Sequence, residues 1–218
     1  MKQPIVFGWL SALSLILVLA GCKGAPAPGE PSHFHRYGVE HGHIQFRYYG
    51  DSRGSEDVVF DRWGEREAQF SKYEHLQVEG IQPVLTLKLT RGADIFMCDI
   101  KKRDCNHWKD PQLDSLRKLS ASDVPTSDQA TAAYLADGFT KSGTENIAGV
   151  QADVWKLKLA PSAIYLWRSV LVKRVMHSQD DSTIVEAVTI DTTSAIDTMQ
   201  FNIPPGFTVH DRLAPPGQ

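Results

Sequence analysis

Four histidines stand close together near the N-terminus, as His33-Phe-His35 and His41-Gly-His43. On an extended segment, residues two positions apart point the same way, so each pair could present two imidazoles. Four such nitrogens would suit a Zn, Cu or Ni ion. No carboxylate or cysteine follows at the same two-residue spacing. We therefore expect solvated histidines here, with no metal and no other cofactor.

A second group that could do chemistry is acidic, and its members are Glu56, Asp57, Asp61, Glu65 and Glu67. Paired carboxylates are the machinery of glycoside hydrolysis. The arginines that interleave with them favour instead an ion-paired outer face of a sheet, and they are Arg53, Arg62 and Arg66. Neither a His-Glu-x-x-His motif nor a Gly-x-x-x-x-Gly-Lys phosphate loop occurs. We therefore expect a protein that is not an enzyme and has no catalytic residues.

Residues 1–21 have the features of a secretory signal peptide. Lys2 supplies a positive start, Ile5 to Ala20 form an almost unbroken apolar stretch, and small residues precede Cys22. A transmembrane helix is the alternative, but a span needs ~20 apolar residues, and this stretch barely approaches that length. We predict that residues 1–21 are removed on export.

The sequence Leu19-Ala-Gly-Cys22 at the end of this stretch resembles the lipobox of bacterial lipoproteins. The resemblance implies a diacylglycerol on the Cys22 thiol, which would hold the protein on a membrane outside the cytoplasm. In such lipoproteins an aspartate after the cysteine is the usual signal for retention in the inner membrane, so Lys23 implies the outer membrane. The protein would then face the periplasm, with exposure on the cell surface left open.

The chain has three cysteines. An odd count leaves one over in an exported protein, and a lipidated Cys22 would account for it. Cys98 and Cys105 lie in a predicted hairpin, and they face each other across the strands if Lys101 and Lys102 form its two-residue turn. We predict a disulfide between them, with two free buried thiols as the alternative.

Composition bounds the remaining chain and its partners. The 218 residues include 23 basic and 26 acidic side chains, a formal net charge of −3, which loss of Lys2 would take to about −4 by side-chain counting. No basic excess is available for a phosphate backbone, which argues against nucleic acid as a partner. Residues 22–36, rich in Pro and Gly, predict a lipidated and flexible tether. Residues 37–210 predict one domain, followed by a C-terminal tail at 211–218.

Alternating apolar residues predict strands in most of this domain. Two strands are apolar on one side only, with the sets Ile44, Phe46, Tyr48 and Leu85, Leu87, Leu89. In the middle, Leu113, Leu116 and Leu119 recur at helical spacing, and residues 128–136, which include Tyr134, predict a second short helix. The sequence therefore predicts an α+β fold, in which one curved antiparallel sheet carries short helices.

Four segments, in this order along the chain, carry a family resemblance. They are Gly54–Gly64, Gly143–Gly149 followed by Asp153-Val-Trp155, Ile164–Arg168, and Phe201–Phe207 with its Pro-x-Gly-aromatic ending. These segments resemble the superfamily of periplasmic lipoprotein carriers and outer-membrane lipoprotein receptors. The resemblance implies a strongly curved, incomplete antiparallel barrel, with short helices covering its concave face. It also implies a role in holding apolar ligands, often acyl chains.

Together these observations predict an apolar ligand, an acyl chain or a lipoprotein, in the concave face of the half-barrel. Its expected contacts are the two strand sets and a helical lid, namely Ile44, Phe46, Tyr48, Leu85, Leu87, Leu89, Leu113, Leu116 and Tyr134. A sheet that does not close leaves a face for helices or a ligand to cover, although the same face could be a plain packed core. The alternative function is an envelope sensor or protein-interaction module on the same fold, with an envelope protein as partner and no ligand transport.

Overall fold

The computed structural model describes residues 35–77, 80–120, 134–135, 137–158, 160–177 and 182–213. The predictions for the signal peptide, for Cys22 and His33, and for most of the tether fall outside these residues. Most of the second predicted helix and the side chain of Leu116 also fall outside them.

Twelve strands form one sheet in the described part of the chain. They are β1 (Gly42–Gly50), β2 (Ser52–Asp61), β3 (Arg66–Gln77), β4 (Gly80–Arg91), β5 (Asp94–Asp99), β6 (Asp104–Lys109), β7 (Phe139–Ile147), β8 (Val150–Leu157), β9 (Ala163–Trp167), β10 (Val170–His177), β11 (Ser182–Asp191) and β12 (Thr208–Asp211). Their order is β12-β6-β5-β4-β3-β2-β1-β11-β10-β9-β8-β7. The sheet does not close, because β12 and β7 stand at opposite ends of this order.

Most strands pair with their neighbours in sequence through antiparallel hairpins, as short turns between period-2 segments require. Two pairings join distant parts of the chain. β1 pairs antiparallel with β11, which places Tyr48 opposite Val185 and joins the first six strands to β7–β11. β12 pairs parallel with β6 and returns the end of the described chain to the first half of the sheet.

The register separates two faces of the sheet, because directly opposed residues of antiparallel strands share a face. One cross-strand row consists of Ile44, Val58, Gln69 and Lys88. Leu87 and Leu89 flank Lys88 on β4 and therefore point to the other side. We call the face that carries Ile44 and Tyr48 the Tyr48 face, and the face that carries Leu89 the Leu89 face.

The first hydrophobic core packs against the Tyr48 face and joins β1 and β2 to the β7–β11 half of the sheet. Its buried members are Tyr37, Ile44, Phe46, Tyr48, Phe60, Ile147, Ala152, Val154, Ala163, Tyr165, Val170, Val172, Val185 and Ala187. Ile44 and Phe46 are buried to within a few per cent of completely. Most of the predicted concave surface is therefore a packed interior.

A second core lies on the Leu89 face, against the segment that follows β11. Its buried members are Val59, Ala68, Leu87, Leu89, Cys98, Cys105 and Phe201. Phe201 ends a short 3-10 turn (Thr198–Phe201), and Asp197 caps this turn by accepting a 2.9 Å hydrogen bond from the Met199 backbone N–H. Arg91 Nε donates a 2.8 Å hydrogen bond to the Phe201 carbonyl, which ties the segment to β4.

The predicted α+β fold, with several short helices over one face, is wrong. The described residues are nearly all β, with one complete α-helix, α1 (Pro111–Ser120), two further α-helical residues, Tyr134 and Leu135, and two short 3-10 turns, Arg62–Gly64 and Thr198–Phe201. The first core is covered by β7–β11, and the second by the segment around Phe201. Apolar spacing in the sequence shows that a segment is buried on one side, but it does not show which partner covers it.

The helix α1 lies at the end of the sheet where β2 turns into β3. Asp110 caps it, since Asp110 Oδ1 accepts hydrogen bonds from the backbone N–H of Gln112 (2.8 Å) and Leu113 (3.2 Å). Arg117 forms a 3.0 Å ion pair with Glu65, next to that turn. Among the described residues, no helix is both long and apolar enough to cross a membrane.

The predicted disulfide between Cys98 and Cys105 is present. The two residues are directly opposed in the β5–β6 hairpin, with their Cα atoms 3.9 Å apart. Asp99 organises the turn, because its Oδ1 accepts hydrogen bonds from the backbone N–H of Lys101 (2.9 Å) and Lys102 (3.0 Å). Both half-cystines are fully buried in the second core, so the bond joins β5 to β6 within that core.

Replacing Cys98 and Cys105 together with alanine is expected to lower the free energy of unfolding by about 2–3 kcal/mol, the loop-closure entropy of so short a loop. Urea unfolding of the oxidised wild type and the double variant measures the difference. Reduced wild type is the control and should lose a similar amount. Equal stability of all three samples would contradict the prediction.

His107 on β6 contacts two carboxylates, one on β12 and one on β5. His107 Nδ1 lies 2.7 Å from Asp211 Oδ1 on β12, and Nε2 lies 3.0 Å from Asp94 Oδ1 on β5. Only a doubly protonated imidazole donates to both. The hydrogen bond to Asp211 raises the pKa of His107, burial opposes the rise, and Asp94 adds to it. The attachment is therefore strongest with His107 charged.

His107→Gln is expected to destabilise the protein more at about pH 5.5 than at about pH 8.5. Because the pKa of His107 is higher in the folded protein than in the unfolded chain, its charge stabilises the fold. This stabilisation is fully present below the unfolded-state pKa near 6.5 and is lost as pH rises through the folded-state pKa. Chemical unfolding of the wild type and the variant at both pH values measures how the loss of unfolding free energy depends on pH. A penalty that is independent of pH would show that the charge of His107 does not hold β12.

Candidate functional site

A cleft of about 350 Å³ opens on the Tyr48 face, at the end of the sheet where β1 turns into β2. Six adjacent strands, β4, β3, β2, β1, β11 and β10, supply its lining, which is Tyr48, Ser52, Tyr73, His75, Gln82, Val84, Arg174, Met176 and Thr183. Cross-strand register aligns these side chains, since Ser52, His75 and Gln82 form one row and Thr183 lies opposite Met176. The sheet itself therefore positions the site.

The floor of the cleft is a pair of stacked tyrosines. Tyr48, Gly54 and Tyr73 form one cross-strand row. Because Gly54 carries no side chain, the two rings meet beside it, with their centroids 4.5 Å apart and their planes inclined by 13°. A Cβ on Gly54 would lie 2.2 Å from the Lys72 carbonyl oxygen, and φ at Gly54 is +153°. The stacked floor therefore depends on glycine at this position.

Glu56 is a buried carboxylate beside the tyrosine pair, with 3% of its surface exposed. Its Oε2 accepts hydrogen bonds from the Tyr48 hydroxyl (2.6 Å) and from Ser71 Oγ (3.0 Å). Arg174 Nη2 lies 3.4 Å from the same oxygen and 3.2 Å from the Tyr48 hydroxyl. Burial, followed by the Glu56 charge, raises the pKa of Tyr48, so this hydroxyl stays protonated and donates.

Arg174 has hydrogen-bonding capacity to spare. Its Nε is buried and has no hydrogen-bond partner among the described residues. Its side chain is nevertheless 26% exposed and lines the cleft. A guanidinium carries several N–H donors in a rigid, planar fork. The arrangement can therefore donate to an acceptor group of a molecule that enters the cleft.

Ser52 and His75 form part of the rim. Ser52 Oγ lies 2.9 Å from His75 Nδ1 and 3.2 Å from Thr183 Oγ1. The surrounding Gly50-Asp-Ser-Arg-Gly54 matches the letters of the Gly-x-Ser-x-Gly nucleophile motif. That motif requires a sharp strand-to-helix turn with an exposed serine, whereas here it lies in the β1–β2 hairpin with Ser52 buried. The structural context of the motif is not met.

The structure separates the two strand sets that were predicted to bind one ligand. Tyr48 lines the cleft, while Ile44 and Phe46 pack in the first core below it. Leu87 and Leu89 lie in the second core on the opposite face. Leu85 borders a different groove, shared with Lys72, Pro83 and Lys101. The alternation of each strand was predicted correctly, but the β1 set and the β4 set do not line the same surface.

The predicted helical lid does not reach the cleft in the described part of the chain. Leu113 is half-buried at the start of α1, away from the cleft lining, and the side chain of Leu116 is outside the description. Tyr134 packs edge-on against Phe139, with their ring centroids 6.0 Å apart, and lies 6.3 Å from the ring of Trp155. Tyr134 therefore contacts the β7–β8 end of the sheet.

The histidines His35 and His43 make separate contacts with different residues. His35 stacks on Trp63 at 4.4 Å, and His43 Nε2 lies 3.1 Å from Asp57 Oδ1. Within the described ranges, no group of three or more His, Cys, Asp or Glu side chains is arranged to hold a metal ion. His33 lies outside these ranges, and no metal centre is proposed.

The acidic cluster is ion-paired, with partners from near and distant parts of the chain. Arg66 pairs with Asp61, and Arg36 pairs with Glu67 at 2.9 Å. The Tyr37 hydroxyl also donates to Glu67. Burial alone would raise the pKa of Glu67, but the Arg36 charge and the Tyr37 hydrogen bond lower it, so this carboxylate stays charged. These pairs hold the first described residues at the end of the sheet opposite the cleft.

Sequence reasoning missed the residues that define the cleft, namely Gly54, Tyr73 and Arg174. A glycine within a strand pattern signals a bulge or a close approach, and Gly54 could have been singled out on that ground. No local signal distinguishes Arg174 from other arginines, because the groups that it contacts are more than a hundred residues away, at separations of 126 and 118.

Comparison with known proteins finds no matching protein family and no matching curated protein. Among solved structures, an uncharacterized conserved protein from Thermus thermophilus is similar, with a TM-score of 0.50, 6% identity, and coverage of 83% of this chain and 95% of that chain. The chain therefore has a fold related to that of the Thermus protein.

Two other solved structures are similar at lower scores. MucB has a TM-score of 0.44 and 11% identity, over 85% of this chain and 66% of that chain. LprF from Mycobacterium bovis has a TM-score of 0.33 and 11% identity, over 77% of this chain and 93% of that chain. None of these comparisons shows the lipoprotein-carrier family, which stays an interpretation of the sequence.

Proposed function

We propose that this protein is an extracytoplasmic, lipid-anchored binding protein, not an enzyme, which holds a small ligand in the cleft on the Tyr48 face. The observation that carries the proposal is the make-up of the cleft, with an aromatic floor, a polar rim and an arginine with spare donors. Ligand sites typically combine apolar walls with a few polar groups that fix orientation. Side chains on strands hold such groups more accurately than loops do.

The cellular location is supported by the N-terminal sequence and by the disulfide. Leu19–Cys22 resembles a lipobox behind a secretory signal, and Lys23 at the following position favours the outer membrane with the domain in the periplasm. The Cys98–Cys105 bond fits the same location, because disulfides persist in oxidising compartments outside the cytoplasm.

The apolar part of the ligand lies in the cleft and not along the first core. Phe46 and Tyr165 are buried core residues there, and a long acyl chain would have to displace packed side chains. At the cleft, a ring or a short acyl segment can lie against Tyr73, Val84 and Met176. Only the end of an acyl chain would then be enclosed.

Calorimetric titration of the full-length protein in lipid nanodiscs tests the proposal, with 2-naphthylacetate as an aromatic probe and decanoate as an acyl probe. Empty nanodiscs supply the blank. We expect saturable binding of at least one probe. Met176→Trp fills the cleft and should weaken that binding about tenfold or more.

The matched control is Val188→Trp, because Met176 and Val188 lie on adjacent strands with similar exposures of 46% and 43%, and Val188 does not line the cleft. This variant should bind like the wild type. The absence of saturable binding, or equal loss in both tryptophan variants, would refute a ligand site in the cleft.

A second candidate function is a protein-interaction module, and the β3–β4 hairpin favours it. The pairing of β2 with β3 ends at His75, and the pairing of β5 with β4 ends at Thr86, so the hairpin extends beyond both neighbours. Leu76 and Ile81 are opposed near its tip and are 59% and 65% exposed. Apolar side chains at such a tip are suited to contact a partner protein.

Photo-crosslinking in living cells tests this second candidate. A photoreactive residue at position 76 should yield a discrete crosslinked species if the hairpin binds an envelope protein, and Ile81→Asp in the same chain should abolish it. A photoreactive residue at position 188 is the control for random collision. Equal crosslinking from both positions would refute the interaction module, and ligand binding would be the one proposed function that stands.

A further inference from the structure

We infer that the cleft on the Tyr48 face selects ligands that carry a carboxylate, and that Arg174 is the residue that binds it. This inference rests on the proposed function and names the chemical class of the ligand. It begins from the unused donor on Arg174, whose buried Nε has no partner among the described residues. Leaving a buried donor unsatisfied is costly. An acceptor that lets the guanidinium reorient would recover that cost.

Reorientation of Arg174 gives up two long contacts of its Nη2, to the Tyr48 hydroxyl at 3.2 Å and to Glu56 Oε2 at 3.4 Å. Glu56 Oε2 already accepts hydrogen bonds from the Tyr48 hydroxyl at 2.6 Å and from Ser71 Oγ at 3.0 Å. The contact from Arg174 Nη2, at 3.4 Å, is the longest of the three. Glu56 therefore keeps two short hydrogen bonds if the guanidinium turns toward the cleft, and the buried carboxylate is not left without donors.

Arg174 lies in the cleft with part of its side chain exposed, so a ligand there can reach its guanidinium. Arg174 and Met176 line the same side of the cleft from β10, and about a quarter of the Arg174 side chain is exposed. The tyrosine pair forms the adjacent floor. A molecule with a flat or apolar body on Tyr73 would place a polar end group beside Arg174.

The charge balance favours a carboxylate over a phosphate. Among the described residues that line the cleft, Arg174 is the one arginine or lysine, and the buried Glu56 lies beside it. Arg174 already pairs with Glu56 at 3.4 Å, so every negative charge on the ligand adds to the charge of Glu56. A carboxylate adds one negative charge, whereas a phosphate monoester near neutral pH adds close to two.

Titration of the full-length protein in nanodiscs with three naphthalene probes of matched shape tests the inference. The probes are 2-naphthylacetate, its neutral analogue 2-naphthylacetamide, and 2-naphthyl phosphate. We expect the acetate to bind about tenfold or more tightly than the amide, as a charge-assisted hydrogen bond predicts. We also expect the acetate to bind more tightly than the phosphate.

Two substitutions should change acetate binding in opposite directions. Arg174→Gln removes the donor and should weaken acetate binding about 10- to 100-fold while changing amide binding about threefold or less. Glu56→Gln removes the neighbouring negative charge at nearly constant shape and should tighten acetate binding. A variant that merely unfolds the cleft cannot bind more tightly, so the second substitution separates charge from stability.

Each outcome decides between the inference and the proposed function. If acetate and amide bind equally, or if both substitutions leave acetate binding unchanged, the cleft binds ligands but Arg174 does not select a carboxylate. Tighter binding of the phosphate would also overturn the inference. If neither these three probes nor decanoate binds, the proposed function fails together with the inference. Near-ultraviolet circular dichroism of each variant verifies that the tyrosine floor remains packed.

Discussion

Gly54→Ala is expected to destabilise the protein strongly and to abolish binding in the cleft. The added Cβ would lie 2.2 Å from the Lys72 carbonyl oxygen and 2.5 Å from the Tyr73 Cα. Both atoms belong to the backbone of the neighbouring strand, so no side-chain rotation can relieve the contact. β2 and β3 must separate, and the Tyr48–Tyr73 stack must open.

Gly143→Ala is the matched control for this substitution. Gly143 also lies within a strand and has φ of +146°, close to the +153° of Gly54, but a Cβ there meets nothing within 4 Å. Both variants carry the backbone strain of an alanine at positive φ, which is of order 1–3 kcal/mol. Only Gly54→Ala adds the collision, so it should lose at least about 2 kcal/mol more in urea unfolding. Equal losses of unfolding free energy in the two variants would show that glycine is needed at position 54 only for its backbone conformation.

Cys22→Ser is expected to abolish lipidation and removal of the signal peptide completely. If Leu19–Cys22 is a lipobox, the thiol is the lipid acceptor, and a serine hydroxyl at this position receives no diacylglycerol. Wild type should incorporate radiolabelled palmitate and stay with membranes in high salt, because two or more acyl chains anchor a protein stably. The variant should accumulate as an unlabelled, unprocessed precursor.

Replacement of the other two cysteines controls for general effects of thiol loss. Cys98→Ser with Cys105→Ser should leave palmitate labelling intact, since these residues form the β5–β6 disulfide. Lys23→Asp adds a test of the destination, because the lipobox resemblance implies that it redirects the protein to the inner membrane. Equal labelling of wild type and Cys22→Ser would refute lipidation at this position.

The disulfide and the strands could be predicted because both depend on residues that are close in sequence. Cys98 and Cys105 face each other through one short turn, and the alternation at Ile44, Phe46 and Tyr48 is a property of a single strand. The predicted fold class was wrong because it depends on residues that are distant in sequence. What covers an apolar face comes from elsewhere in the chain, and here strands β7–β11 and the segment around Phe201 took the place assigned to helices.

The sequence by itself determined where the chain alternates and which two cysteines pair, since local spacing governs both. Only the tertiary structure decided that Tyr48, Glu56 and Arg174 meet, because the pairing of β1 with β11 closes a separation of 126 residues between Tyr48 and Arg174. Side chains alternate between faces with a period of two, so a one-residue shift in that pairing would move Arg174 to the opposite face. Burial of the first core fixes the register, and the register places the arginine in the cleft.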